Sequence, residues 1–442
     1  MSAQRFHIAP GGCLTGRVSV PGDKSMSHRA IMFGALAEGT TTIDGFLESG
    51  DCLATLRAFE AMGVAHRLEG RTRVITGAGL RGLGAPTGPL DLGNSGTAMR
   101  LLSGVMTGQA FDSVLTGDGS LSRRPMNRVI EPLTRMGAAI AGDAGGRAPL
   151  RIAGNQALHA IEYASPVASA QIKSCVLLAG LYAQGTTCVT EPGISRDHTE
   201  RMLAGFGVAV ERAGRRVSLV GGQTLRAAHV TVPADLSSAA FFLVGAAIAP
   251  GSDLTLPGVG INPTRRGVID ALIAMGADIT LLDERESAGE PVADIRVRGS
   301  QLHGIAIDGD LVELAIDECP ALFIAAACAK GTTEISGAAE LRVKECDRIA
   351  VMARGLEALG VDCEETADGL IIRGREDAEA FGAATIASHE DHRIAMAFAM
   401  AGLRARGPIV IDDCDYVATS FPGFTALAAE AGLRIQSREL SS

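Results

Sequence analysis

The sequence contains no tryptophan and three tyrosines, and aromatic residues make up 4% of its 442 residues. Its formal net charge is −10. Both features argue against a general nucleic-acid-binding protein, because such proteins present basic surfaces and stack bases on aromatic rings. An acidic chain can still bind an anionic ligand, provided that lysines and arginines are concentrated in one pocket.

Long apolar segments are missing as well. Residues 1–10 include no apolar stretch of signal-peptide length, and no run of 18 uncharged apolar residues follows. The nine cysteines are scattered and include no C-x-x-C pair, which suits a reducing compartment better than a disulfide or zinc framework. We therefore expect a cytoplasmic protein that does not associate with a membrane.

Nucleotide-binding and metal-binding patterns are also lacking. The sequence has no G-x-x-x-x-G-K-[ST] loop and no G-x-G-x-x-G after a predicted strand. His389 and His392 flank Glu390 and Asp391, but the two histidines lie at a predicted helix start rather than one turn apart on one helix face. We therefore expect neither a nucleotide site of these kinds nor a metal.

The chain does contain enough apolar residues for a large core. Hydrophobic residues make up 47% of the sequence and charged residues 20%. A chain of 442 residues exceeds the size at which single hydrophobic cores stop growing. Two domains are the expected organisation.

A helix-stop pattern occurs six times at intervals of 69 to 84 residues. Each copy is an amphipathic helix that ends with an apolar residue, a glycine and then a small or branched residue. Glycine after the last helical residue typically adopts the left-handed cap conformation. The six glycines are Gly63, Gly137, Gly207, Gly276, Gly360 and Gly432.

Each copy also contains a turn followed by a short strand, and before that a helix that is apolar on nearly all sides. A helix of that kind belongs in the centre of a domain. The pattern predicts an α/β fold of two similar domains, each with three helix-strand-helix-strand-strand units. Buried parallel helices would be surrounded by short sheets, as in an inside-out α/β barrel.

The domain boundaries are predicted from a second repeat. SVPGDKS at 19–25 and TVPADLSS at 231–238 share a strand, a proline turn and a Ser-rich helix start. We expect the chain to cross between domains at both places. One domain would comprise 1–21 plus 234–442 and the other 22–233, with the active site in the cleft between them.

Polar and charged residues concentrate at the predicted starts of the six apolar helices. A helix start presents unpaired N–H groups and the positive end of the helix dipole, and it therefore favours anions. Other interpretations stay open: residues 94–97 could be an ordinary helix cap, Arg123 and Arg124 a solvated pair, Asp317 a cap or a functional acid, and Asp118 part of a turn.

Eight strings resemble, in the same order and across nearly the whole chain, the 5-enolpyruvylshikimate-3-phosphate synthases of the enolpyruvyl transferase family. The resemblance implies two domains of three repeated units that close over the substrates. It also implies transfer of the enolpyruvyl group of phosphoenolpyruvate to the 5-hydroxyl of shikimate 3-phosphate, in the shikimate pathway of aromatic amino acid biosynthesis. The strings are PGDKSMSHRA, LGNSGTAMRLL, GDGSLSRRPM, ASPVASAQIKS, RDHTERML, LRVKECDRI, DHRIAMAF and TSFPGF.

The resemblance assigns roles to individual residues. Asp317 and Glu345 would be the proton-transfer pair, with Lys24 as a third catalytic residue. Shikimate 3-phosphate would be bound by Lys24, Ser25, Arg29, Ser169, Gln171, Arg196, Asp317 and Lys344. Phosphoenolpyruvate would be bound by Lys24, Gly96, Arg124, Gln171, Arg348, His392 and Arg393.

The reaction requires an acid and a base but no metal or organic cofactor. We expect Glu345 to protonate C3 of phosphoenolpyruvate and Asp317 to deprotonate the hydroxyl and later C3. Thr419 and Ala170 stand where some members carry lysine and serine. Gly96 leaves room that a methyl group would occupy, so inhibition by glyphosate, which mimics phosphoenolpyruvate in this family, is expected.

Two alternatives remain. In the first, a sister enzyme transfers the same group to UDP-N-acetylglucosamine. Such enzymes resemble one another in a Lys-Asn pair near the start of the chain and usually in a loop cysteine. This chain instead has Lys24-Ser25 and no cysteine at 117–126. The second alternative is a non-catalytic relative that binds phosphometabolites. The presence of Asp317 and Glu345 argues against it. A monomer is expected.

Overall fold

The structure is a computed structural model that describes residues 4–375 and 379–439. Within these ranges the chain forms fourteen α-helices and three short 3-10 helices. The α-helices are α1 (Lys24–Leu36), α2 (Gly50–Ala61), α3 (Gly96–Met106), α4 (Gly119–Arg123), α5 (Asn127–Arg135), α6 (Ala170–Gly180), α7 (His198–Gly205), α8 (Leu236–Ile248), α9 (Gly267–Ala274), α10 (Gly309–Ala315), α11 (Cys319–Ala327), α12 (Arg348–Ala358), α13 (His392–Ala401) and α14 (Phe424–Ala431).

The same ranges contain 24 β-strands. They are β1 (Gln4–Ile8), β2 (Thr15–Arg17), β3 (Glu38–Asp44), β4 (Ala65–Glu69), β5 (Thr72–Ala78), β6 (Leu90–Asp91), β7 (Ser113–Thr116), β8 (Ile140–Asp143), β9 (Arg147–Ile152), β10 (Glu162–Ala164), β11 (Thr186–Thr190), β12 (Val210–Ala213), β13 (Arg216–Val220), β14 (His229–Thr231), β15 (Asp253–Gly260), β16 (Asp278–Ser287), β17 (Glu290–Arg298), β18 (Ala306–Ile307), β19 (Gly331–Ile335), β20 (Asp362–Glu365), β21 (Leu370–Gly374), β22 (Ala384–Ala387), β23 (Ile409–Asp412) and β24 (Ile435–Glu439).

The chain divides into two compact units. Unit 1 comprises Met1–Pro21, Pro233–Glu286 and Pro291–Ser442, and unit 2 comprises Gly22–Val232 and Ser287–Glu290. Unit 2 contains three copies of the predicted helix-strand-helix-strand-strand order and unit 1 contains two, whereas in the third copy of unit 1 the last strand is supplied by β1 from the start of the chain. The α/β fold class and its repeated units are therefore confirmed.

The strands form six separate four-stranded sheets rather than one closed barrel, within the part of the chain that the structure describes. Three strands of each sheet follow the predicted order, and a fourth lies parallel at the edge. Their orders are β14-β3-β5-β4, β6-β7-β9-β8, β10-β11-β13-β12, β16-β17-β15-β2, β18-β19-β21-β20 and β22-β23-β1-β24.

The fourth strand of each sheet was not predicted as part of the repeated unit, and only the strands before the two proline turns were expected from the sequence. In four sheets it precedes the central helix and pairs parallel with the strand after that helix, as β6 pairs with β7 across α3. In the other two sheets the edge strand precedes a different central helix along the chain: β2, before α1, pairs with β15 within unit 1, and β14, before α8, pairs with β3 within unit 2. Each of these strands has two to four residues, too short to show a period.

The six repeated glycines all end a helix in the predicted way. Their φ angles lie between 81° and 119°, in the left-handed region. At Gly63 the glycine N–H donates to Glu60 O at 2.9 Å and the next N–H, of Val64, donates to Phe59 O at 3.0 Å. These two bonds are those of a Schellman cap, and they satisfy carbonyls that the helix end leaves unpaired.

The three apolar helices of each unit form its core. In unit 2, α3 packs against α1 and α6, and in unit 1, α8, α11 and α13 contact one another. Every residue of α8 and of α11 is buried. In the described ranges no helix combines the length and the apolar character that crossing a membrane requires. The starts of these central helices carry the polar residues considered next.

Candidate active site

The first group of candidate residues lies at the start of α1 in unit 2. Asp23 caps the helix, because its carboxylate accepts the Met26 N–H at 2.8 Å. Lys24 is the first helical residue, and its Nζ lies 3.1 Å from Asp51 Oδ2. Ser25 follows, and its carbonyl accepts a hydrogen bond from Arg29 Nη1 at 2.9 Å.

Arg29 is buried and held by neutral acceptors. Its Nε donates to Thr199 Oγ1 at 2.7 Å and its Nη2 to Ser174 Oγ at 2.9 Å, in addition to the bond to the Ser25 carbonyl. Burial lowers the pKa of Arg29 to about 10, although the charge of Glu200 acts in the opposite direction. The guanidinium therefore remains cationic at neutral pH and would gain stability from an added anion.

His28 lies beside Arg29 with no exposed surface. Its Nδ1 is 2.7 Å from Thr55 Oγ1, and its Nε2 is 3.4 Å from Ser95 Oγ. Burial, followed by the charges of Lys24 and Arg29, lowers the pKa of His28 to about 3. The imidazole is thus neutral at physiological pH, and it links the starts of α1 and α3.

The start of α3 brings two guanidinium groups to a residue without a side chain. Ser95 caps the helix by accepting the Ala98 N–H at 3.1 Å, and Gly96 is the first helical residue. A Cβ atom on Gly96 would lie 2.8 Å from Arg100 Nη1 and 3.0 Å from Arg124 Nη1. A helix start flanked by two arginines in this way is a favourable place for an anion.

Polar side chains orient these two arginines. Arg100 Nη1 donates to Gln171 Oε1 at 2.9 Å, and Gln171 Nε2 donates to Thr97 Oγ1 at 3.0 Å. Arg124 Nη2 donates to Asn94 Oδ1 at 3.0 Å. The structure therefore brings Gly96, Arg124 and Gln171 together, as the sequence analysis expected of a shared binding site.

The start of α6 adds further candidates. Ser169 caps this helix, and its Oγ accepts the Ile172 N–H at 3.5 Å. Arg196 is half-buried, and its positive charge acts on Arg29. Lys173 lies one turn into the helix and pairs with Glu191 and Glu200, each at 2.9 Å. Unit 2 thus assembles cations around three helix starts.

In unit 1, Arg348 is the centre of a cluster of carboxylates. Its side chain is 1% exposed, and its Nε and Nη2 donate to Asp391 Oδ2 at 2.7 Å and Glu345 Oε2 at 2.6 Å. Its Nη1 lies 3.5 Å from Asp317 Oδ1. Burial would lower the pKa of Arg348, but the charges of Asp391, Glu345 and Asp317 outweigh it and raise this pKa well above its usual range.

Asp317 and Glu345 are thus held by the same guanidinium. Lys344 adds a second cation to Asp317, with Nζ 3.2 Å from Oδ1. Both carboxylate side chains keep 18% of their surface exposed, whereas Asp391 has none. The two candidate proton-transfer groups can therefore be reached by a ligand, while Asp391 anchors Arg348 from behind.

Arg393 belongs to the same cluster at the start of α13. Its Nη1 donates to the Asp317 carbonyl at 2.7 Å and to Glu318 Oε1 at 3.2 Å. The neighbouring His392 is buried, with Nε2 3.1 Å from Ser420 Oγ. All six candidate residues of unit 1 lie at or just before the starts of α11, α12 and α13.

The structure bears on two interpretations that the sequence left open. Asp317 does not cap α11: the cap position is Glu318, and Asp317 instead forms ion pairs with Lys344 and Arg348. Asp118 is more than a turn residue, because its carboxylate caps the short helix α4 by accepting the Leu121 N–H at 2.8 Å. The partners of Asp317 lie far along the chain and were not visible in the local sequence, whereas Asp118 caps through the nearby Leu121.

Some polar residues of these sites were not predicted. Arg265 of unit 1 donates to Ser237 Oγ at 2.7 Å and to Asp235 Oδ1 at 3.0 Å. Glu191 of unit 2 was missed as well, because it lies in no sequence motif that would have identified it. The available signal was Lys173, because a lysine in an otherwise apolar helix requires a buried acid as partner.

Among the described residues no cluster of His, Cys, Asp and Glu suitable for a metal ion is found.

Together these features define a class of protein: a two-unit α/β protein of six repeated modules, in which cations and paired carboxylates gather at the starts of the central helices. Such sites are suited to small anionic molecules and to proton transfer. The family EPSP synthase (3-phosphoshikimate 1-carboxyvinyltransferase) matches residues 8–427. The chain belongs to this family.

Individual relatives agree with this assignment. A 3-phosphoshikimate 1-carboxyvinyltransferase from Alkalilimnicola ehrlichii is 63% identical over 97% of this chain and 96% of the relative. One from Nitrosococcus oceani is 62% identical over 98% of this chain and 96% of the relative. The solved structure of the EPSP synthase from Acinetobacter baumannii is 56% identical and superimposes with a TM-score of 0.89, covering 99% of this chain and 100% of that one.

Proposed function

We propose that this chain transfers the enolpyruvyl group of phosphoenolpyruvate to the 5-hydroxyl of shikimate 3-phosphate and releases phosphate. The proposal is supported by the family and by the activity named for its relatives. One observation carries the chemistry: Asp317 and Glu345, both partly exposed, lie on one buried guanidinium, that of Arg348. An addition followed by an elimination needs two such proton-transfer groups.

Shikimate 3-phosphate, in this proposal, uses the cations at the starts of α1 and α6. Arg29 supports this role, because its three hydrogen-bond acceptors are neutral and its positive charge can stabilise a phosphate. The residues that we propose to bind this substrate are Lys24, Ser25, Arg29, Ser169, Gln171, Arg196, Asp317 and Lys344.

Phosphoenolpyruvate uses Gly96 and the arginines around it. Arg124 Nη1 would lie 3.0 Å from a Cβ on Gly96, so a small anion at that helix start meets the guanidinium directly. Arg348 Nη1 is buried and donates no hydrogen bond to any described residue, which leaves it available to a carboxylate. The proposed ligands are Lys24, Gly96, Arg124, Gln171, Arg348, His392 and Arg393.

The proposed reaction begins when the 5-hydroxyl oxygen attacks C2 of phosphoenolpyruvate. Asp317 takes the hydroxyl proton while Glu345 gives a proton to C3. The bond between C2 and the phosphate oxygen then breaks, and the phosphate leaves with the proton that Asp317 took from the hydroxyl. Asp317, again a carboxylate, removes a proton from C3 as the enol ether double bond forms, and exchange with solvent returns this proton to Glu345. Lys24 and the arginines stabilise the charge that builds on the phosphate and carboxylate groups. No step uses a metal or an organic cofactor.

The remaining expectations are part of the same proposal. We infer a cytoplasmic monomer that binds neither nucleic acid nor membrane, with the two domains at 1–21 plus 234–442 and at 22–233. At the two departures, Ala170 is the first residue of α6 and Thr419 donates to the Tyr416 carbonyl at 2.6 Å, so neither position supplies the serine or lysine that some members carry.

The test is phosphate release from purified protein mixed with shikimate 3-phosphate and phosphoenolpyruvate. We expect release with this acceptor and none with UDP-N-acetylglucosamine. Release only with the sugar nucleotide would assign the chain to the sister reaction. Binding of both ligands without release would leave a non-catalytic relative. Asp317→Ala and Glu345→Ala are the controls, and phosphate release should be lost in both.

A further inference from the structure

The carboxylate of Glu191, directly after strand β11 in unit 2, is buried beside the proposed shikimate 3-phosphate site. Its side chain is 4% exposed. Its Oε1 accepts the backbone N–H of Ser169 at 2.9 Å. Its Oε2 accepts the Ser195 hydroxyl at 2.7 Å and lies 2.9 Å from Lys173 Nζ. One carboxylate thus gathers three donors from two separate chain segments.

Two of these donors are directly connected to proposed substrate ligands. Ser169 is itself a proposed ligand and caps α6. Ser195 immediately precedes Arg196 and is held on two sides, because its carbonyl also lies 3.5 Å from Lys173 Nζ. Glu191 and Lys173 therefore fix the position of Ser169 and of the segment that carries Arg196.

A carboxylate near a phosphate site needs compensation, because like charges repel. Lys173 supplies it: burial would lower the pKa of Lys173, but the charges of Glu200 and Glu191 outweigh this effect and raise it. Lys173 also pairs with Glu200 at 2.9 Å. The Glu191 carboxylate can therefore orient donors while its charge is neutralised locally.

We propose that Glu191 is a positioning residue that sets the affinity for shikimate 3-phosphate by holding Ser169 and, through Ser195, Arg196. The inference rests on the proposed function of this site. Glu191 acts through its neighbours and takes no part in the chemical steps. Its loss should therefore weaken the binding of one substrate while the turnover rate at saturation stays nearly the same.

The test uses Glu191→Gln in the full chain. Glutamine has nearly the same volume, but its amide nitrogen cannot accept a hydrogen bond, so three donors cannot all be satisfied. Lys173 keeps Glu200 as its partner, so the buried lysine is not left without a counter-charge. We expect the KM for shikimate 3-phosphate to rise about tenfold, with kcat and the KM for phosphoenolpyruvate within about twofold.

Glu200→Gln is the matched control, because Glu200 pairs with the same lysine. Glu200 contacts Lys173, but neither of its oxygens accepts a hydrogen bond from Ser169 or Ser195. We expect the KM for shikimate 3-phosphate to change less than about threefold in this variant. Ser195→Ala removes one of the three donors and should raise this KM about threefold. Calorimetric binding of shikimate 3-phosphate should show the same order.

An unchanged KM for shikimate 3-phosphate in Glu191→Gln, measured beside an active wild type, would overturn the inference and leave the proposed function intact. An equal rise in both KM values, or an equal effect of Glu200→Gln, would also overturn it. If Glu191→Gln does not fold, Ser195→Ala decides, and an unchanged KM there contradicts the inference. A wild type inactive with both substrates would instead overturn the proposed function, and this inference with it.

Discussion

Arg29 in unit 2 and Arg348 in unit 1 are both buried near a helix start, but they have opposite partners. Arg29 donates to two hydroxyls and a carbonyl, whereas Arg348 is surrounded by three carboxylates. Accordingly the pKa of Arg29 is lowered to about 10, and that of Arg348 is raised. In unit 2 the positive charge is available to a ligand, and in unit 1 it orients acids.

This difference suggests a division of labour between the units. Unit 2 would contribute mainly to substrate affinity, and the carboxylates of unit 1 mainly to the chemical steps. Variants of unit 1 acids should then lower kcat, and variants of unit 2 cations should raise KM. The following predictions test this division, beginning with the largest effect.

Removal of a proton-transfer group in unit 1 should have the largest effect. Glu345→Gln and Asp317→Asn should each lower kcat about 100- to 10,000-fold, because an amide cannot transfer the proton. Shikimate 3-phosphate binding, measured by calorimetry, should weaken at most about tenfold. Folding should persist, because Arg348 keeps Asp391 and one further carboxylate in each variant.

Asp362→Asn is a control for this experiment, because Asp362 is an exposed acid of unit 1 whose partner is Arg373 at 3.0 Å. It should leave kcat unchanged. If Glu345→Gln retained more than a tenth of the wild-type kcat, the proposed acid-base role of Glu345 would be wrong. The same result for Asp317→Asn as well would mean that unit 1 is not the source of the chemistry.

Loss of a cation in unit 2 should act on substrate affinity. Arg124→Gln should raise the KM for phosphoenolpyruvate about 10- to 100-fold, because a charge-assisted contact to the anion is lost. Steady-state phosphate release at saturating shikimate 3-phosphate gives this value. A loss of kcat that exceeds the rise in KM would contradict the division between units.

Arg123→Gln is the matched control for Arg124. The two arginines are adjacent, but Arg123 is the exposed last residue of α4, whereas Arg124 is half-buried and lies beside Gly96. We expect the KM values of Arg123→Gln to stay within about twofold of wild type. Similar effects of both variants would show that these arginines act only as a general positive field.

His28 should make unit 2 sensitive to acid. Its folded pKa is about 3, compared with 6.5 as the ordinary value. Below about pH 6.5 the unfolded chain binds a proton that the folded chain excludes, so stability falls as the pH drops toward 3. Between pH 7 and pH 5 the loss should be about 2 kcal/mol, and above pH 7 the contribution of His28 is small.

The measurement for His28 is urea unfolding at pH 7 and pH 5, for wild type and His28→Gln. Glutamine does not titrate, so the variant should lose about 2 kcal/mol less than wild type over this interval. The difference between the two proteins removes the contribution of other titrating groups. Equal losses in both would mean that His28 is not the group responsible.

The parts of the fold that the sequence predicted are those encoded locally. Six glycine caps and six apolar helices are visible in short windows, because a left-handed cap and an all-round apolar helix each need only adjacent residues. The edge strands other than those before the two proline turns were missed because they have two to four residues. Insertion of β1 between β23 and β24 depends on residues about 400 positions apart.

The candidate site likewise contains residues that the sequence identified and partners that it did not. Residues at helix starts were found because polar residues before an apolar helix stand out in the sequence. Their partners were not: Arg348 and Asp391 are 43 residues apart, and Glu191 contacts Ser169 from 22 residues away. Ion pairs of this kind follow from packing, and a single sequence contains no local pattern for them.

The smallest effect is expected for Gly96→Ala, which adds one methyl group at the start of α3 in unit 2. A methyl group in Gly96→Ala would lie 2.8 Å from Arg100 Nη1 and 3.0 Å from Arg124 Nη1. Both atoms are the ends of flexible side chains, so the guanidiniums should shift by a few tenths of an ångström while the helix stays folded. We expect a rise of about fivefold in the KM for phosphoenolpyruvate, and glyphosate, which should inhibit the wild type, should lose at least the same factor.

Gly205→Ala is the matched control, because Gly205 is also helical and in unit 2 but a Cβ there would meet no atom within 4 Å. It should leave both constants unchanged. The KM for shikimate 3-phosphate should also stay within about twofold in Gly96→Ala, because Arg29 lies at a different helix start. A larger rise for shikimate 3-phosphate than for phosphoenolpyruvate would mean that the two anions occupy the opposite helix starts of unit 2 from those proposed. An unchanged glyphosate constant would place the inhibitor away from Gly96 altogether.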